Sequence, residues 1–124
     1  MESASSAESA VLGKAFIRAG EALGLDDAEL SAVLNEHVSS VLLLRHGQEL
    51  LRPSSDAWSR ALLLVEVYQS LLAAVGNERN ARNWLSSENR GLCSRPRDLI
   101  KSRTGLEQVV QYLAANRSLT QHLR

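Results

Sequence analysis

Apolar residues recur along this chain at three- and four-residue spacings, the period of helices that bury one face. Val11, Leu12, Ala15, Phe16, Ala19 and Leu23 form the first stripe and predict a helix over about 9–23. Gly24 suits the left-handed residue that ends a helix. The segment before it, Met1 to Glu8, is small, polar and rich in Ser and Ala, and reads as a frayed leader. Asp26 is placed to cap a second helix, Asp27 to Leu34, with Leu30, Val33 and Leu34 inward. A third helix follows from Val38 to His46. Gly47 ends it or kinks it before 48–51, and Pro53 forces the next break. Ser54 or Ser55 then caps the longest helix, Asp56 to Val75. It carries one stripe of Trp58, Ala61, Leu62, Val65, Tyr68, Leu72 and Val75, and a second of Leu64, Leu71 and Ala74. A helix apolar on more than one side packs against more than one neighbour. Residues 56–75 are therefore expected to be a central strut.

Beyond Gly76, Asn77 caps a fifth helix that closes on Trp84-Leu85. A polar link through Asn89 leads to Leu92, expected to be buried in a turn. Pro96 opens a short helix at the position where its missing N–H is not needed. Gly105 precedes a last helix, 106–115, whose Leu106, Val109, Val110 and Leu113 are expected to bury against the Trp84 helix. The fold class is all-α. A helix-turn-helix-like bundle, residues 1–76, is joined by the long helix to a small C-terminal helical module, residues 77–124. Composition agrees, since aromatic residues make up only 4% while Ala and Leu abound.

Charge sharpens this division. The net charge is zero, but residues 1–76 hold five Lys/Arg against ten Asp/Glu and residues 77–124 hold nine against four. Either the halves neutralise one another, or the basic half meets an acidic partner. Its candidate contacts are Arg90, Arg95, Arg97, Lys101 and Arg103, the alternative being a solvated face. Arginine outnumbers lysine eight to one in that half, which suits paired hydrogen bonds to carboxylates. The tail adds Asn116, Arg117, Gln121, His122 and Arg124, either as further contacts or as a frayed terminus. No apolar run reaches the roughly 18 residues of a membrane span. No signal-like segment opens the chain, and Cys93 is alone, so a reducing cytoplasm is expected.

Candidate chemistry is sparse. His37, His46 and His122 lack ligand spacing for a metal, Cys93 has no nearby histidine, and no glycine-rich phosphate loop occurs. Neither an enzyme nor a cofactor is expected. In a helix-turn-helix spanning 27–47, the third helix would read DNA. It offers Ser39, Ser40 and Arg45 to bases and phosphates, a small kit in a net-negative half. Leu42, Leu43 and Leu44 in succession lie about 100° apart on a helix, so one at least must be exposed or covered by a second copy. A homodimer through the N-terminal half is expected.

Trp84-Leu85, Asn89, Leu92, Pro96, Leu99-Ile100 and Gly105-Leu106, in that order and spacing, resemble the Xre/MbcA/ParS antitoxin family. The chain departs from that pattern at Glu88, where the family has Pro. It departs also at Cys93-Ser94, where the family has a Gly-Gly turn, and at Asn116-Arg117-Ser118 near the end. The resemblance implies a neighbouring RES-type toxin, similar to ADP-ribosyltransferases, that consumes NAD. It implies that the C-terminal module docks over the toxin's NAD cleft, and that the N-terminal half dimerises and represses its operon. The donors of the tail itself, not the resemblance, suggest that 116–124 plugs or overhangs that cleft, the alternative being a frayed terminus. A DNA-binding regulator without a toxin is the alternative.

Overall fold

The computed structural model describes residues 2–49 and 51–116, with side chains described from Ala7 onward. Seven helices occur among the described residues, and the only β-pairing is a single bridge between Asn89 and Ser94. The first helix, α1, spans Glu2–Ala22, so the segment read as a frayed leader is helical. Its Ala and Glu residues are good helix formers, and they continue the helix toward the N-terminus. Asp26 caps α2 (Asp27–Leu34) through a capping box. Its side chain accepts from the Glu29 N–H at 2.8 Å, while the Glu29 carboxylate accepts from the Asp26 N–H at 3.1 Å. Helix α3 spans Val38–Arg45, one residue shorter than expected, because His46 is its C-cap. Gly47 takes φ +71, and the Gln48 N–H reaches back to the Leu43 carbonyl, so this glycine ends the helix.

Ser55 caps α4 (Asp56–Val75), the strut of the molecule. Its length and mean hydropathy match a membrane span, yet seven of its residues are buried under other helices. The face that packs deepest is Ala57, Ala61, Leu64, Val67, Leu71, Ala74 and Val75. That corrects the expected main stripe. Leu62 is exposed and Trp58, Val65, Tyr68 and Leu72 are half-buried, because α1 and α7 flank α4 and leave a side open. Val11 on α1 is likewise exposed rather than inward. One continuous core runs from Leu12 and Phe16 through Leu64 and Leu71 to Leu85, Ile100 and Leu113.

Asn77 caps α5 (Glu78–Ser86), and Pro96 is the first residue of the one-turn α6 (Pro96–Leu99). Helix α7 (Arg103–Ala115) starts three residues earlier than expected, with Ser102 as its cap. Gly105 is therefore inside the first turn, and the reason for a glycine is contact. A Cβ there would stand 2.0 Å from the Leu99 carbonyl oxygen, so α6 and α7 meet backbone to backbone. Leu106, Val109 and Leu113 are buried and Val110 half-buried. They pack chiefly along α4 and α6, not on the Trp84 helix, which meets α7 through one aromatic pair. Leu92 is half-buried, not enclosed.

Candidate functional site

Two surfaces carry the sequence-derived candidates. The first is α3. His37 caps it, Nδ1 accepting from the Ser39 N–H at 3.2 Å, with the Ser39 hydroxyl 3.1 Å from the same nitrogen. The Ser39 side chain is thus occupied at the helix start. Ser40 is half-buried beside Glu36, Glu49 and Arg52. Arg45 turns inward and bonds Glu21 of α1 and Asp27 of α2, clamping three helices together. These carboxylates raise its already high pKa, first through the Asp27 hydrogen bond. Of the three leucines, Leu44 is 7% exposed, while Leu42 and Leu43 are 44% and 37% exposed. The outward face of α3 is therefore apolar, with no cation free to read DNA among Ser39, Ser40 and Arg45.

The second surface is the loop between α5 and α6. Asn89 and Ser94 exchange backbone hydrogen bonds at 3.0 and 3.3 Å, and the Asn89 side-chain oxygen accepts from the Leu92 N–H at 3.0 Å. Cys93 closes the turn at φ +58, where the family pattern places glycine. Beneath the loop, Trp84 stacks on Tyr112 with ring centroids 6.1 Å apart. Gly91 lies so close to that tyrosine that a Cβ would come within 2.6 Å of its ring. Exposed Arg90 stands on this support with no ion pair among the described residues. Arg95 pairs locally with Asp98 at 3.1 Å, and Lys101 reaches Glu29 and Asp98 only at 3.9 Å.

The other two candidate cations are used inside the molecule. Arg97 sends Nε and Nη2 to the two Glu29 oxygens at 2.6 and 2.7 Å, a paired grip across 68 residues. The same guanidinium bonds the Gly24 carbonyl at 2.7 Å and the Ser86 hydroxyl at 3.1 Å. Arg103 binds Asp56 and Ser59 of α4, each at 2.8 Å. Arg97 holds the Glu29 carboxyl below its ordinary range, outweighing burial, which pushes the other way.

Residues 2–66 match the antitoxin Xre-like helix-turn-helix domain, and residues 70–118 match the antitoxin Xre/MbcA/ParS C-terminal toxin-binding domain. The chain belongs to the Xre/MbcA/ParS antitoxin family. A comparison with curated proteins finds no match. The two matched segments of this antitoxin meet inside α4, so the strut serves both. The α2–α3 pair lies in the segment matched to the helix-turn-helix domain, and the loop at 87–95 with its Trp84–Tyr112 support lies in the segment matched to the toxin-binding domain.

Of the tail candidates, Asn116 ends α7, its side chain donating to the Tyr112 carbonyl at 2.8 Å. Arg117, Gln121, His122 and Arg124 lie outside the described residues. Sequence reasoning missed Glu29, the acceptor that joins the two domains. Its capping-box spacing from Asp26 was visible, but nothing in that spacing points to Arg97. Among the described residues no group of His, Cys, Asp or Glu is arranged to hold a metal.

Proposed function

We propose that this antitoxin neutralises an NAD-consuming toxin of the RES type by docking its C-terminal domain over the toxin's NAD cleft. The observation that carries this reading is the aromatic-backed loop in the toxin-binding segment, presenting exposed Arg90 with no ion pair among the described residues, on the same module as Arg95 and Lys101. These three are the proposed rim contacts, matched to toxin carboxylates. Arg97 and Arg103 act behind them, holding the module on α2 and α4. The tail, Asn116 with Arg117, Gln121, His122 and Arg124, overhangs the cleft and offers donors where a dinucleotide would be held. The protein acts in the cytoplasm by binding, not by catalysis.

The test is co-expression with a RES-type toxin from the adjacent gene, scoring co-purification and cellular NAD. Arg90→Glu with Lys101→Glu is expected to weaken the complex. Removal of 116–124 is expected to leave the complex formed but let NAD loss resume. A tail-deleted antitoxin that still protects NAD at equal occupancy would mean that the folded domain alone covers the cleft. Failure of any complex to form would remove the toxin reading. The helix-turn-helix match then favours a regulator acting on DNA alone. In the toxin reading, the same domain dimerises and represses its own operon.

A further inference from the structure

The seam between α1 and α4 carries an unassigned surface. Glu8, Val11, Ala15 and Arg18 recur at spacings of three and four along α1, so they share one narrow face. Trp58, Leu62, Val65 and Gln69 do the same on α4. The two helices run in the same direction here, Glu8 and Val11 lying beside Trp58 and Leu62, and Arg18 beside Val65 and Gln69. Between them lies a groove of about 410 Å³ floored by Leu12, Ala15 and Trp58. Val11 and Leu62 on its walls are 68% and 48% exposed, the two most exposed large apolar residues among those described. Neither Glu8 nor Arg18 has an ion pair among the described residues.

We propose that this groove is the dimer interface, occupied by the same groove of a second copy running antiparallel across a two-fold axis. The charge order along the α1 face argues for that occupant: acidic Glu8, apolar Val11 and Ala15, basic Arg18. A two-fold axis midway between Val11 and Ala15 sets Glu8 of each copy against Arg18 of the other and Val11 against Ala15. A surface that contacts itself must be self-complementary in this way. The same axis brings Leu62 towards its counterpart and covers both exposed walls. The inference rests on the reading that the N-terminal half self-associates, and it moves the contact from Leu42 and Leu43 to the groove.

The test is sedimentation equilibrium of the full chain at about tens of micromolar, a range suited to a modest interface. The wild type is expected to be dimeric and Leu62→Arg monomeric, with unchanged helical content and melting. Glu8→Arg and Arg18→Glu should each weaken the dimer about tenfold through like-charge contact across the axis. Combining them should restore it to within about threefold. A pair ten residues apart on one helix cannot rescue itself, so recovery reports contact between copies. A dimer that survives Leu62→Arg but is lost in Leu42→Ser/Leu43→Ser overturns the groove and leaves self-association standing. Failure of the double swap to rescue overturns the antiparallel register. A monomeric wild type overturns both the groove and the self-association it rests on.

Discussion

On Arg97, one guanidinium meets a carboxylate, a backbone carbonyl and a hydroxyl drawn from three separate segments. The sequence shows an arginine one residue into a Pro-led helix, equally suited to a partner's carboxylate. Only the fold brings Glu29 to it, and charge patterning cannot report a contact across that separation. The pair sets a pH dependence. The Glu29 carboxyl is held below its ordinary value of 4.5, first by the Arg97 hydrogen bond. A depressed folded pKa adds stability that is present above the ordinary value and lost as pH falls through the folded one. Glu29→Gln keeps a residue that can complete the capping box but removes the ionic partner. It is expected to cost roughly 1.5–3 kcal/mol near neutral pH, the range for hydrogen bonds to charged groups. Denaturant unfolding should show that difference shrinking as pH drops below 4.5. A difference that persists undiminished at about pH 3 would mean that the ion pair is not its source.

At the scale of elements, the ends were more legible than the faces. Asp26, Ser55 and Asn77 cap the helices they were expected to cap, because one side chain bonding a nearby N–H is a local event. Gly24, Gly47 and Gly76 all take positive φ at helix ends. Faces depend on what packs alongside, so Leu62 and Val11 were assigned inward and lie outward. Gly105 was legible as a glycine but not as a contact. Gly105→Ala forces a Cβ into the Leu99 carbonyl, a backbone atom that cannot swing aside. The expected cost is roughly 2 kcal/mol or more by overpacking, read as a lowered melting temperature, with toxin capture falling in parallel. A melt unchanged from wild type would mean that α6 and α7 separate freely. For α3, Arg45→Ala removes a clamp to Glu21 and Asp27. Its first effect is expected in stability, by about 1–2 kcal/mol. Operator binding that collapses in gel shift while the melt is unchanged would instead make Arg45 a DNA contact.

Across the whole molecule, the two family domains are not two independent cores. Arg103 at the start of α7 bonds Asp56 and Ser59 at the start of α4, and Leu113 lies beside Ser70 and Ala74 further along, so α7 runs parallel to the strut. The buried face of α7, Leu106, Val109 and Leu113, has α4 as its chief cover. A division at 76 puts that cover on the other side of the cut. The sequence invited it, because Gly76 and Asn77 are a strong helix stop and start, and because the charge changes sign there. A fragment of 77–124 would expose those three side chains, and burying each is worth about 1.5–3 kcal/mol. That loss is comparable to the whole stability of a small domain. The fragment is therefore expected to show little helix by circular dichroism and to capture no toxin. A fragment beginning at Asp56 keeps the strut, the Arg103 contacts and the Trp84–Tyr112 stack. It is expected to fold more fully and to retain capture, though without the Glu29 grip on Arg97 and with part of α4 uncovered. Helical, toxin-binding behaviour of 77–124 by itself would show that the C-terminal domain is self-sufficient and that α4 is only a connector.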